Sequence, residues 1–207
     1  MSIPFERTRP ATLPTYPRGE GKSTAYWGMM MLIFTEATFF LILFMSYVYL
    51  RFRAGVTWPP DGIHKPDLFK VSIMTPVLVL SSVPAYLADL GIRRGNLRRL
   101  RLGLMAAIVQ GGTFIGLMSW EYIDLTKEFT PQTNAYGSLF YTITGFHGLH
   151  VFVGLCLLSW VLIYSFSGRW SAENHVAVQN VILYWHFVDA VWLFILTIIY
   201  FSPHWWP

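Results

Sequence analysis

The chain has 207 residues, of which 54% are hydrophobic and only 13% charged, with 16 Phe, 11 Tyr and 9 Trp. A soluble domain carries about 25% charged residues, so this composition excludes an ordinary soluble globule and fits one polytopic membrane domain. The formal charge of +4 does not point to a nucleic-acid partner, because the basic residues flank apolar runs instead of forming an aromatic-interleaved patch.

Residues 1–25 are polar and Pro-rich and lack the apolar core of a signal peptide. They read as an irregular cytoplasmic arm that orders only against a partner. Residues 26–207 read as an all-α, five-helix transmembrane domain. Its apolar runs lie near 25–50, 71–91, 102–120, 136–166 and 176–201, and each reaches the roughly 20 residues that a spanning helix needs. Ten Lys and Arg fall on the side of the arm and five on the other. The positive-inside rule therefore puts the N-terminus in the cytoplasm and the C-terminus outside. Trp58, Trp120, Trp170, Trp205 and Trp206 fall near helix ends, where amphipathic rings form interfacial belts.

In the first helix Glu36 is the one ionisable group, and its helical neighbours Phe39, Phe40 and Leu43 are apolar. The carboxyl is either protonated by desolvation or paired with a neighbouring helix. It is either a proton-handling or packing-critical site, or a neutral acid hydrogen-bonded for helix registry. The loop from Trp58 to His64 is turn-rich, with His64 solvated or at an interface.

The second helix holds Pro76 and Pro84, which should kink it, and Thr75, Ser81 and Ser82, whose hydroxyls can satisfy the freed carbonyls. Asp89 and Arg93 form an i,i+4 pair. In the third, Gly103, Gly111, Gly112 and Gly116 permit close helix approach. Glu121 ends that helix and opens an acidic loop with Asp124 and Glu128, either solvated or a docking edge. Cys156, the single cysteine, reads as a small buried hydrophobe.

The fourth helix brings His147 and His150, three residues apart and on one face. The fifth brings Gln179, His186 and Asp189 along one stripe, with His186 and Asp189 spaced to pair directly. A carboxylate at mid-bilayer costs roughly 2.5–3.5 kcal/mol, so these groups should turn inward and meet one another or Glu36. The expectation is one buried network of Glu36, His147, His150, His186 and Asp189.

Two other readings of the histidines stay open. His147 or His150 could join His186 as axial ligands of a haem b, with Asp189 orienting the second nitrogen, although their heights match only loosely. An ion transporter would need an inverted repeat or interrupted helices, and neither is visible. No P-loop, dinucleotide or thiolate motif is present.

Along the chain, in order, stand Glu36 with the aromatic pair Phe39-Phe40, Trp58-Pro-Pro-Asp-Gly-Ile-His64, Glu121-Tyr122, Gly145-Phe-His-Gly-Leu-His-Val151, Asn174-His175, Tyr184-Trp-His-Phe-Val-Asp189 and Val191-Trp-Leu-Phe194. Together these stretches resemble subunit III of the haem-copper terminal oxidases, closest to the cytochrome c oxidase branch.

The resemblance implies an accessory subunit of a proton-pumping oxidase that reduces dioxygen to water in a bacterial cytoplasmic membrane. Haem and copper would belong to partner subunits, with no metal or cofactor on this chain. The family's subunit III packs on subunit I, neighbours subunit II and other respiratory subunits, and holds phospholipid. It supports proton uptake and protects the core from turnover inactivation. Glu36 matches its carbodiimide-reactive carboxylate. Trp58, His64, Glu121, Tyr122, Asn174, His175 and Gln179 become lipid or interface candidates.

Two departures stand out. Seven-helix relatives have two more helices at the start, and Gln179 stands where many carry Glu. Quinol oxidases and a nitric-oxide-reductase-associated homologue share parts of the pattern. The Trp58–His64 and Gly145–His150 stretches favour the cytochrome c type.

Overall fold

The computed structural model describes residues 23–54, 58–60, 63 and 66–205. Among them it shows five long helices and no strand: α1 (Thr24–Ala54), α2 (Leu68–Arg93), α3 (Leu97–Leu125), α4 (Ala135–Phe166) and α5 (Val176–Ile195). After α5 the chain makes a π-helical turn, Leu196–Phe201, and a last short helix, α6 (Ser202–Trp205). All five spans are long and apolar enough to cross a membrane.

Local chemistry sets the helix starts. Asp67 accepts from the Phe69 amide (2.8 Å), Asn96 from Arg99 (3.0 Å) and Asn134 from Gly137 (2.9 Å), so each side chain satisfies one of the amides a helix start leaves free. Gly95, at φ +69°, makes the sharp reversal after α2 that suits a glycine.

One end of the bundle is tied by Asn180 Nδ2 donating to the Ala25 carbonyl (3.0 Å) and Arg101 Nη2 to that of Ser165 (2.7 Å). At the other, Arg51 donates to Ser202 Oγ (2.5 Å) and to its carbonyl (3.0 Å). The starts of α1 and α5 therefore share one end, and their finishes the other.

The core is aromatic: Tyr47, Phe40, Phe114, Phe140, Trp185 and Trp192 are among its largest fully buried side chains. Of the five spans α5 is the most enclosed and α1 the least, with Met31, Phe34 and Met45 of α1 outward. That outward apolar surface is ordinary for a helix bathed in lipid.

Several expectations are corrected here. Gly103 takes α2 closely, with Ala88 Cβ 2.9 Å from where its own Cβ would be, and Gly111 takes Trp185; Gly112 and Gly116 meet nothing within 4 Å. A helix has only one face toward a given neighbour, so neighbouring glycines differ in role. The hydroxyls of α2 serve α5. Ser81 Oγ accepts from Trp185 Nε1 (2.9 Å) and Thr75 Oγ1 from Trp192 Nε1 (3.1 Å), because buried indole donors require partners.

Asp124 and Glu121 belong to α3, not to a loop, and Glu121 is 2% exposed. Trp58 and Trp170 are buried, unlike the exposed Trp120 and Trp205, because each packs inward as part of an aromatic cluster. Trp206 lies outside the described residues. Cys156 is exposed on the outer side of α4. An apolar run gives no sign of which positions face lipid, since lipid and core are equally apolar.

Candidate functional site

The polar groups resolve into separate pairs. His150 Nε2 lies 3.0 Å from Glu36 Oε2, and His150 Nδ1 2.6 Å from the carbonyl of Phe146. A carbonyl only accepts, so Nδ1 carries a proton. The proton between Nε2 and Oε2 then belongs either to a protonated Glu36 or to a doubly protonated His150. Phe40 packs edge-on against the imidazole (5.1 Å). The pair lines a groove of about 460 Å³ between α1 and α4, walled by Leu32, Phe39, Phe146, Leu149 and Tyr184.

His186 and Asp189 meet through a residue of α2. His186 Nδ1 is 2.8 Å from Ser82 Oγ, and Ser82 Oγ donates to Asp189 Oδ2. No direct bond between His186 and Asp189 is found among the described residues, which corrects the expected pairing within α5. Both side chains lean toward α2, and a serine there can serve the two together. Sequence reasoning gave Ser82 only a backbone role.

His147 stands alone. It is fully buried, stacked on Trp192 (5.3 Å) and met edge-on by Phe114 (5.9 Å), and neither nitrogen has a hydrogen-bond partner among the described residues. Residues three apart on a helix differ by about 60° in direction, enough to aim His147 into the core and His150 at α1. The expected single network is therefore two pairs and one isolated ring. The three imidazoles engage different elements, and no cluster of three or more His, Cys, Asp or Glu suited to a metal occurs among the described residues.

The other candidates scatter. Gln179, with its amide oxygen toward Arg93, accepts at 3.0 Å, and Arg93 also pairs with Asp89 at 2.7 Å. Glu121 accepts from the Tyr200 hydroxyl (3.3 Å), a partner the sequence did not suggest, and Tyr122 bonds Thr144 (2.6 Å). Lys70 pairs with Asp124 at 2.6 Å. Trp58 sits between the rings of Tyr47 (5.6 Å) and Tyr136 (5.5 Å). Asn174 donates to the Arg169 carbonyl in an exposed turn, and His175 stands at the start of α5 without capping it. His64 lies outside the described residues.

Five apolar spans carrying a part-buried carboxyl–imidazole pair and a buried carboxyl bonded to a hydroxyl define a helical multi-pass membrane protein. The chain matches the family model described as cytochrome c oxidase subunit III over residues 19–206, and it belongs to that family. Among its relatives, cytochrome c oxidase subunit 3 of Thermostichus vulcanus is 34% identical over 174 residues, covering 84% of this chain and 85% of the relative. The subunit of Anopheles gambiae is 36% identical over 185 residues, 87% of this chain and 68% of the relative. That of Scyliorhinus canicula is 35% identical over 185 residues, with 87% and 69% covered.

Proposed function

We propose that this chain is a non-redox accessory subunit of a proton-pumping cytochrome c oxidase in a bacterial cytoplasmic membrane, its N-terminus on the cytoplasmic side. It packs on subunit I, with subunit II and other respiratory subunits nearby, while haem and copper reside on those partners. The observation that carries this reading is the Glu36–His150 pair in the wall of an otherwise apolar groove, on a chain of the subunit III family.

An apolar groove with one polar pair suits an acyl chain of phospholipid. A carboxyl and an imidazole sharing one proton suit a local proton reservoir, consistent with support of proton uptake and protection of the core during turnover. Trp58, Glu121, Tyr122, Asn174, His175 and Gln179 serve as supporting contacts for packing or lipid.

The test is an optical spectrum of the isolated chain beside that of the complex it co-purifies with. A colourless chain from a complex with haem bands is expected. A reducible b-type Soret band on the isolated chain would overturn this function and make the three membrane histidines ligand candidates.

A further inference from the structure

A second opening, of about 390 Å³, lies at the Ala25–Asn180 end between the starts of α1 and α5 and the finish of α2. Tyr26, Asp89, Arg93, Gln179 and His186 are among its lining residues. His186 is only half-buried there, and its Nδ1 is taken by Ser82, which leaves Nε2 for the crevice. Ser82 in turn bonds Asp189 Oδ2, and Asp189 is 5% exposed with its Oδ1 lacking a partner among the described residues. Crevice, imidazole, hydroxyl and carboxyl thus form an unbroken line in which each group can both accept and give a proton.

We propose that Asp189 is a proton-exchanging carboxyl served from this crevice through His186 and Ser82. A proton from crevice water binds His186 Nε2. The Nδ1 proton passes to Ser82 Oγ, and the serine's own proton passes to Asp189 Oδ2. The O–H bond formed on Asp189 balances the one lost by solvent. The serine hydroxyl is regenerated, and His186 ends as the other neutral tautomer. Release runs the same bonds in reverse.

The charged groups around this line are themselves paired, although Asp89 also acts through space on His186. Asp89 and Arg93 of α2 neutralise one another at 2.7 Å, and Tyr26 of α1 and Tyr86 of α2 are the other titratable lining groups among the described residues. Glu36 of α1 and His150 of α4 are held by each other, and His147 is enclosed by Phe114 and Trp192. One turn past Asp189, the Trp192 indole is fixed to Thr75, so the line ends at Asp189 and does not continue through the bundle. This assignment is independent of the subunit's place in an oxidase.

The experiment is infrared spectroscopy of the intact complex transferred from H2O to D2O, with the Asp189 carboxyl band identified by its loss in Asp189→Asn. The native band should shift promptly. Ser82→Ala should slow the shift at least about tenfold, the scale of one lost hydrogen-bond link, and Ser82→Thr, which keeps a hydroxyl, should restore it. A native band that stays unexchanged, or exchange unaltered in Ser82→Ala, overturns the proposal.

A second measurement does not depend on those variants assembling. Leu183 also lines the crevice, so Leu183→Cys in a Cys156→Ser background should react with a water-soluble maleimide. Absence of labelling would show the crevice closed to water and would equally overturn the relay.

Discussion

Glu36 and His150 are joined across the α1–α4 contact at 3.0 Å, 114 residues apart in the chain. With His150 Nδ1 committed to the Phe146 carbonyl, the two side chains hold one proton between them. Glu36→Ala removes one holder and leaves the imidazole without a partner in a mostly apolar groove. The variant should lose about 1 kcal/mol of stability, the low end for a half-exposed hydrogen bond. It should also shorten turnover lifetime while sparing the haem spectrum and initial oxygen reduction. Thermal inactivation and progress curves of the purified complex check this, and loss of the haem spectrum would point to a different role. Glu36→Gln, which can still donate to Nε2, should fall between the variant and the native chain.

Asp189→Ala should be the more damaging change. It strands the Ser82 hydroxyl and weakens the hold on His186 at a buried site, where an unsatisfied group costs roughly 1–3 kcal/mol and shared networks exceed the sum of their pairs. The yield of assembled complex measures it. Normal assembly would show that the Ser82 bridge is dispensable.

Glycine replacements should separate sharply by position. A methyl on Gly111 would lie 2.5 Å from the Trp185 ring, and overpacking of that kind costs about 1–3 kcal/mol. Gly112 meets nothing within 4 Å, so Gly112→Ala should be neutral or slightly stabilising through better helix propensity. Melting temperatures of the two variants in one detergent settle the contrast. Equal effects would remove the close α3–α5 approach.

Arg51→Ala should loosen the chain's end, because Arg51 holds both the hydroxyl and the carbonyl of Ser202 beyond the π-helical turn. Local opening there should become easier by about 1–2 kcal/mol, the scale of two hydrogen bonds. Hydrogen exchange of the backbone amides from Ile199 to Trp205, Pro203 having none, should accelerate while that of α3 stays unchanged. Unchanged exchange throughout would place the anchor elsewhere.

Much of this molecule was legible in the order of residues alone. The five spans follow from the length of their apolar runs, and helix formation needs no knowledge of neighbours when every backbone group must be satisfied within the segment. The same reasoning leaves Glu36 either protonated or paired with another helix, because none of its own helical neighbours is polar. Family motifs at Tyr184–Asp189 and Gly145–Val151 were readable for the same reason, being local strings.

Tertiary structure alone decided which partner each polar group took. His150 turned to α1, His147 into the aromatic core, and His186 and Asp189 to Ser82. It likewise aimed Cys156 outward, buried Glu121 beside Tyr200 and left Gly112 open. The physical cause is the solvent. In water, an apolar stripe marks the buried face of a helix, but lipid is as apolar as a protein core, so hydropathy carries no sign of which side faces in. The rotation of each helix about its own axis is fixed only when small residues, indole donors and hydroxyls of two helices meet, and those meetings join residues about a hundred positions apart, as Ser81 and Trp185 do.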